Sequence, residues 1–392
     1  MDKLKILLAV DSYSYATNGV VNVVLALKDG LSRMGHEVKV LTLADGHASA
    51  RDGDVYSIRS FSSFLYPDFR LSLARHDPLL NELIQWKPDL IHLHTEASVA
   101  RMVRAMDEQI KVPVIMTAHT DYAYYAFKRF RSSPPVCALM NFLGKRVYRD
   151  VTAITVPSEK ARAFPQFRTM KDRVVLVPNG IKLEKFQKAV SEKERAEMLA
   201  RYGLADSGCT LAMITRVSRE KNIMEILRYL PALLRELPEA QLLIVGDGPD
   251  RKRLEKYCAR GALKGRVVFT GRIPQEELYR YYAMGDVFVS ASVFEVHSLS
   301  YLEAMACGLP LVCREDACLR GVLADGENGF IYRTEAEFTR SVAKIVRDKA
   351  LKRCMHERAL EKVKAFSEEK FVENMVKMYH DVLAQQRPNG SA

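Results

Sequence analysis

Short apolar runs alternate along this chain with longer stretches in which apolar positions recur every three to four residues. Residues 5–10 and 37–42 read as buried strands, with a helical pattern over 20–34 between them and Gly35 as its stop. Residues 90–94, 112–117 and 151–156 continue the strand series. After a looser stretch the pattern restarts, with strands at 210–215, 241–245, 267–270, 287–290 and 310–313 and a helix over 223–234. Strand–helix alternation of this kind predicts an α/β protein with parallel sheets and helices on both faces. The restart near residue 205 divides the chain into domains at 1–180 and 181–367. A last amphipathic helix, 368–384, is expected to pack back on the first domain, with a frayed polar tail to 392. The Lys- and Glu-rich stretch 175–193, with its turn Pro178-Asn179-Gly180, is a natural hinge.

Composition narrows the class. With 392 residues, 48% hydrophobic and 27% charged, the chain describes a folded, enzyme-like protein of two cores. No run reaches the ~20 apolar residues of a membrane span. The opening residues 1–10 read as a first strand and not as a signal peptide. The seven cysteines include no Cys-x-x-Cys pair, which fits free thiols in a reducing cytoplasm.

A formal charge of +11 points to an acidic partner. Residues 122–149 hold Lys128, Arg129, Arg131, Lys145, Arg146 and Arg149, no acid, and the aromatic residues Tyr122, Tyr124, Tyr125, Phe127 and Phe130. That mixture suits an anionic membrane interface, or a solvated basic helix whose apolar run 136–143 packs on a core.

Candidate chemistry clusters just after the strands, where open α/β sheets bind ligands; two such sheets would place a cleft between the domains. Glu295 and Glu303 follow the strand 287–290, and a helix is expected to start near Ser298 and end at Gly308. Its first amides, at Leu299 and Ser300, form an anion site suited to a diphosphate. Two carboxylates beside such a site suit sugar and ribose hydroxyls better than phosphate. Alone, the pair also reads as a capping Glu and a solvated one.

This stretch resembles the Glu-x7-Glu signature of the family-4 retaining glycosyltransferases, which have the GT-B fold of two facing Rossmann-like domains. The resemblance runs through nearly the whole chain: Thr17-Asn18-Gly19-Val20 with Gly35-His36-Glu37-Val38, Val177-Pro178-Asn179-Gly180-Ile181, Arg216…Glu220-Lys221-Asn222, Gly246-Asp247-Gly248 and Gly271-Arg272-Ile273-Pro274. It implies a nucleotide-sugar donor and no metal. Arg216 and Lys221 would neutralise the leaving diphosphate, and Gly19 would let backbone approach it. Glu295 would hold the donor sugar, Glu303 the ribose, and the backbone near Ile273 the base. His119 would lie against the C6 hydroxyl of the transferred sugar, with the leaving phosphate taking the acceptor's proton. Glu96 is a candidate for orienting the acceptor and Asp121 for an auxiliary role. The family usually has Gly at Ser298 and often Phe at His297; Ser298 is expected to cap the helix instead.

Within the family the chain looks closest to the bacterial branch that glucosylates diacylglycerol or glucosyl-diacylglycerol. The cues are Asn18-Gly19-Val20, Leu65-Tyr-Pro67-Asp-Phe-Arg70, His94-Thr-Glu96, Glu220-Lys221-Asn222, and Asp316 with Asn328-Gly329-Phe330. The branch implies UDP-glucose, a lipid acceptor and the inner membrane face. A soluble enzyme acting on a small molecule or polysaccharide is the alternative. A basic nucleic-acid-binding protein would not explain the ordered donor motifs. Asp52-Gly53-Asp54, in an early polar loop, is no metal motif, and His92, His94 and His119 lack the pattern of a zinc site.

Overall fold

The computed structural model describes residues 3–13, 19–62, 70–119, 146–206 and 209–386. Thr17, Asn18, residues 65–69, Thr120, Asp121, residues 122–145 and the tail from 387 lie outside the described residues. Most of the basic aromatic segment is among them. The chain forms two compact units, one of residues 1–180 with 368–392 and one of residues 181–367.

In the first unit an eight-stranded sheet runs β10-β9-β8-β7-β1-β2-β4-β3. Its strands are β1 (Lys5–Ala9), β2 (Glu37–Leu43), β3 (Ala50–Asp52), β4 (Val55–Ile58), β7 (Leu90–Leu93), β8 (Val114–Thr117), β9 (Ala153–Val156) and β10 (Val174–Leu176). A separate antiparallel pair is formed by β5 (Phe61–Ser62) and β6 (Arg70–Leu71). All neighbours in the large sheet are parallel except β3 and β4, whose hairpin turns at Gly53 between Asp52 and Asp54. The strands β7, β8 and β9 are buried along their whole length, which is why they read as unbroken apolar runs. Helices α1 (Gly19–Arg33), α2 (Pro78–Trp86) and α3 (Ser98–Ile110) make the crossovers. Because β1 pairs with both β2 and β7, the strand order reverses between β1 and β7.

The second unit has a six-stranded, wholly parallel sheet in the order β13-β12-β11-β14-β15-β16. Its strands are β11 (Thr210–Ile214), β12 (Gln241–Val245), β13 (Val267–Gly271), β14 (Val287–Ser290), β15 (Leu311–Arg314) and β16 (Gly329–Tyr332). Read from β11, this is the 3-2-1-4-5-6 order of a Rossmann domain, with its switch point between β11 and β14. Period-two alternation divides the strand residues between two cores. Ala212, Ile214, Leu243, Val245 and Phe288 face one, with α5 (Leu299–Ala306) and α7 (Lys349–Val363) over them. Leu211, Met213, Leu242, Ile244 and Val289 face the other, under α4 (Ile223–Glu236) and α6 (Glu335–Arg347).

The closing helix α8 (Glu368–Gln386) belongs to the first unit and packs on α1, with Val372 over Gly30 and an ion pair between Arg33 and buried Glu368. Of the described cysteines, Cys209, Cys258, Cys313 and Cys318 are buried, and all six are free thiols.

Candidate active site

In the second unit the pairing of β11 with β14 sets the loops that follow these strands side by side. The loop after β11 carries Arg216 and Lys221, and the loop after β14 carries Glu295. Lys221 Nζ donates to Glu295 Oε1 at 2.5 Å, with both side chains mostly buried. Asn222 holds the junction: it sits in the left-handed region at φ 52° and its Nδ2 donates to Glu225 (2.9 Å) and to the Ala291 carbonyl (3.3 Å). Asn tolerates that backbone better than most residues. Arg314 and Tyr332 hold Glu225 in turn. Arg216 is exposed on the same loop.

The glycines of Gly246-Asp247-Gly248 serve this loop by proximity. Val217 N donates to the Asp247 carbonyl at 3.0 Å. A Cβ at Gly246 would stand 2.0 Å from the Thr215 carbonyl oxygen, and one at Gly248 2.3 Å from that of Val217. Only glycine lets the two loops close to this distance, so the Arg216 loop is fixed from below. Ile273, two residues beyond β13, is half-buried against the first of the two cores.

Helix α5 starts at Leu299 with Ser298 in the N-cap position and in extended conformation. The Ser298 hydroxyl does not cap it, contrary to the expectation from sequence; it lies 3.0 Å from Ser300 Oγ instead. Here the two hydroxyls pair with each other in place of a bond from Ser298 Oγ to a helix amide. The amides of Leu299 and Ser300 thus head a helix whose own side chains supply no cap, which is the setting in which a helix start attracts an anion.

Glu303 lies one turn inside α5 and is buried. It is neither a solvated surface residue nor an ion-pair partner: the Tyr282 hydroxyl donates to its Oε2 at 2.7 Å. Burial pushes the carboxyl up to about 7, and the Tyr282 hydrogen bond lowers it by less. The neighbouring His297 is pushed down to about 4 by burial, and its Nδ1 has no hydrogen-bond partner.

In the first unit, His94 and Glu96 follow β7 and His119 follows β8. His94 Nδ1 and His119 Nε2 share a hydrogen bond of 3.0 Å, and the His92 and His94 rings are 4.0 Å apart. His92 is held by the Tyr379 hydroxyl of α8 and by Thr117 Oγ1, each at 2.6 Å. Burial lowers all three: His92 to about 3, His119 to about 4, and His94 well below the ordinary value, with neighbouring histidines adding to the effect on His92 and His94. All three are therefore neutral imidazoles at pH 7, able to donate and accept but not to serve as standing cations. Among the described residues no group of three or more His, Cys, Asp or Glu is placed to hold a metal ion. Glu96 accepts from the Tyr148 hydroxyl. Gly19 opens α1 with open space where a Cβ would stand.

Three residues escaped the reading of the sequence, Tyr282, Tyr379 and Asp11, and the part Asn222 plays in holding the loop junction was not read from its motif. Asp11, buried just after β1, accepts from Val99 N at 2.9 Å and so caps α3 from a distant segment. Burial raises its carboxyl above the ordinary range. Asn222 had a signal, since a left-handed residue before a helix favours Asn. The other three make contacts far along the chain and had none.

Comparison with known proteins agrees with this geometry. A model described as Glycosyltransferase Family 4 matches residues 17–185, and one described as Glycosyl transferases group 1 matches residues 194–362; together they take in most of the chain. An alpha-monoglucosyldiacylglycerol synthase of Streptococcus pneumoniae is 29% identical over 86% of this chain and 77% of that protein. Its namesake from Acholeplasma laidlawii is 26% identical over 95% of this chain and 96% of its own. Among solved structures, sucrose-phosphate synthase from Thermosynechococcus elongatus superposes with a TM-score of 0.76 at 21% identity, covering 98% of this chain and 100% of that one. The sheet orders, the loops meeting at the switch point and the two family matches lead to one conclusion: this chain belongs to the family-4 glycosyltransferases, nucleotide-sugar-dependent hexosyltransferases of the GT-B fold.

Proposed function

We propose that this enzyme transfers glucose from UDP-glucose, with retention of configuration, to a membrane lipid such as diacylglycerol or glucosyl-diacylglycerol. The observation that carries the donor half is the meeting of Lys221 and Glu295 beside the uncapped start of α5. Lys221, released from Glu295, and exposed Arg216 face the diphosphate as its charge grows, and the amides of Leu299 and Ser300 add the helix end. These groups supply the positive charge for which other transferases use a metal. Glu295 then takes the sugar hydroxyls, with Ser298 beside it. Glu303, kept in place by Tyr282, receives the ribose, and the backbone at Ile273 receives the base. For the first unit, the family resemblance implies donor-side roles for Gly19 and for His119, which is hydrogen-bonded to His94. Glu96 belongs to the acceptor side. Asp121 remains an auxiliary candidate outside the described residues.

The acceptor half is supported by the names of the two diacylglycerol-glucosylating relatives and by the charge of +11. No helix among the described residues is long and apolar enough to cross a membrane, so association with the inner face of the cell membrane would be peripheral, through residues 122–149. Anionic lipid contributes about 1 kcal/mol per cation near such a surface.

A thermal-shift panel of nucleotide sugars tests the donor half, with wild type beside Glu303→Ala and Glu303→Gln. One UDP-sugar should stabilise the wild type, and both variants should largely lose that response. Equal stabilisation of all three removes Glu303 from the donor site. Transfer of labelled glucose to diacylglycerol in vesicles tests the acceptor half; turnover of UDP-glucose onto a soluble acceptor alone would replace the lipid by a small molecule.

A further inference from the structure

The carboxyl ends of β2 and β4 open onto a basin of about 500 Å³ in the first unit, and nothing in the donor machinery uses it. Four basic side chains line it, His47, Arg59, Arg75 and His76, with Phe61 and Leu73 at the edge. Parallel α/β sheets bind ligands at this end of their strands.

The frame of the basin is pinned by hydrogen bonds that leave the lining arginines out. Arg59 N donates to Ser49 Oγ (2.9 Å), which donates to the buried Asp77 carboxylate (2.7 Å). Arg70 is spent on the Ser60 hydroxyl (2.6 Å) and carbonyl (3.1 Å), and Arg101 on the Ser72 carbonyl. Ser72 N in turn donates to Ser98 Oγ at 2.9 Å. Arg59 and Arg75 are exposed, and neither forms an ion pair with a carboxylate among the described residues. No carboxylate is among the described residues that line the basin; Asp77, next in the chain to His76, is occupied by Ser49 and by the amide of Leu79. Among the described residues, the arginines lining the basin therefore have no carboxylate partner.

Its edge is apolar in an unusual way. Leu73 is 73% exposed and Phe61 40%, both among the most exposed large apolar side chains of the described residues. Single exposed apolar residues need no explanation. Two of them bordering one cationic basin do, because a free anion gives Leu73 nothing to bury and a neutral lipid gives the arginines nothing to bind. Guanidinium groups fork phosphate oxygens, and an apolar edge suits the chain attached to that phosphate.

We propose that this basin seats the phosphate of an anionic phospholipid, with Arg59 and Arg75 on the phosphate oxygens and Phe61 and Leu73 against the acyl end. Phosphate recognition stands on the basin alone; the lipid rests on the lipid-acceptor reading above. The basin is built from residues other than 122–149, so the enzyme would grip an anionic lipid individually besides adhering to a charged surface.

The test uses the full-length protein with three vesicle compositions and one free anion. Wild type, Arg59→Gln/Arg75→Gln and Leu73→Ser are sedimented with vesicles of phosphatidylcholine, with or without phosphatidylglycerol, and melted with inorganic phosphate; the third composition adds diacylglycerol to phosphatidylcholine for transfer assays. The double variant should bind phosphatidylglycerol vesicles on the order of thirtyfold more weakly. Leu73→Ser should weaken vesicle binding while leaving any response to inorganic phosphate intact. A double variant that binds these vesicles like wild type overturns the proposal. So does a phosphate response lost in the double variant with vesicle binding unchanged, which assigns the basin to free phosphate. If the double variant melts early, Arg59→Lys/Arg75→Lys keeps the charge and loses the fork; binding between wild type and background upholds the site, and wild-type binding overturns it. Glucose transfer to diacylglycerol in phosphatidylcholine needs no anionic lipid, so its failure would remove the acceptor reading without touching the basin.

Discussion

At Glu303 the cost of removing a carboxylate from water outweighs the one hydrogen bond that Tyr282 gives it, and the group rises from 4.5 to about 7. Between those values the folded state keeps a proton that the unfolded chain has released. Stability from this group is therefore full below about pH 4.5, falls as pH rises, and levels off above about 7. His92, His119 and His297 act in the opposite sense. They are lowered from 6.5 to about 3, 4 and 4, so the unfolded chain takes up their protons first and stability drops on acidification below 6.5. Glu303→Gln should remove only the carboxyl's part. Relative to wild type, the variant gains on the order of 3 kcal/mol between pH 4.5 and 8, measured by denaturant melts across that range; parallel curves would mean a solvated Glu303. The two carboxylates and the Arg216–Lys221 pair were visible in the sequence because their spacing is local. Tyr282 was not, since it reaches Glu303 from a different helix, and Ser298 was misread because a neighbouring hydroxyl competes with the helix amide.

Among the elements, the contact of α1 with α8 offers a clean test of packing. A Cβ at Gly30 would lie 2.4 Å from Val372 Cγ2, so Gly30→Ala must displace that side chain or the helix. Overpacking of this kind costs about 1–3 kcal/mol, against the ~1 kcal/mol that alanine gains over glycine within a helix. We expect Gly30→Ala to destabilise the wild type and to be neutral or stabilising once Val372→Ala has made room. Additive melts for the double variant would mean that the two helices do not touch there. Most sheet strands were legible as apolar runs, because a parallel strand buried on both faces has no polar side. Strands β3, β4, β10 and β16 were missed: β3 is exposed and has no such run, and the other three span only three or four residues each. The helix α3 was missed for another reason: Ala97 at its N-cap position gives no signal, and the cap comes from Asp11 far upstream. For α6 a signal stood in the chain, Thr334 accepting from the amide of Glu337.

For the whole molecule the charge of +11 makes a prediction that depends on no single residue. Screening shortens from about 10 Å at 0.1 M salt to about 3 Å at 1 M. Flotation with anionic vesicles should thus be strong at low salt and lost at 1 M, and absent with neutral vesicles throughout. Association that survives 1 M salt would mark an apolar contact as dominant. By itself the sequence determined the α/β class, where most strands and the first and last helices lie, and the family motifs that name the donor chemistry. These follow from periodicity and from spacing within a few residues, which the backbone geometry of helix and strand converts directly into faces and turns. Tertiary structure decided the rest: the 3-2-1-4-5-6 order that joins Lys221 to Glu295, the burial that keeps Glu303 half protonated near pH 7, and the return of α8 to the first unit. Each depends on which distant segment comes to lie alongside. Strand order and burial depend on the packing of the whole unit, and no local pattern along the chain encodes them.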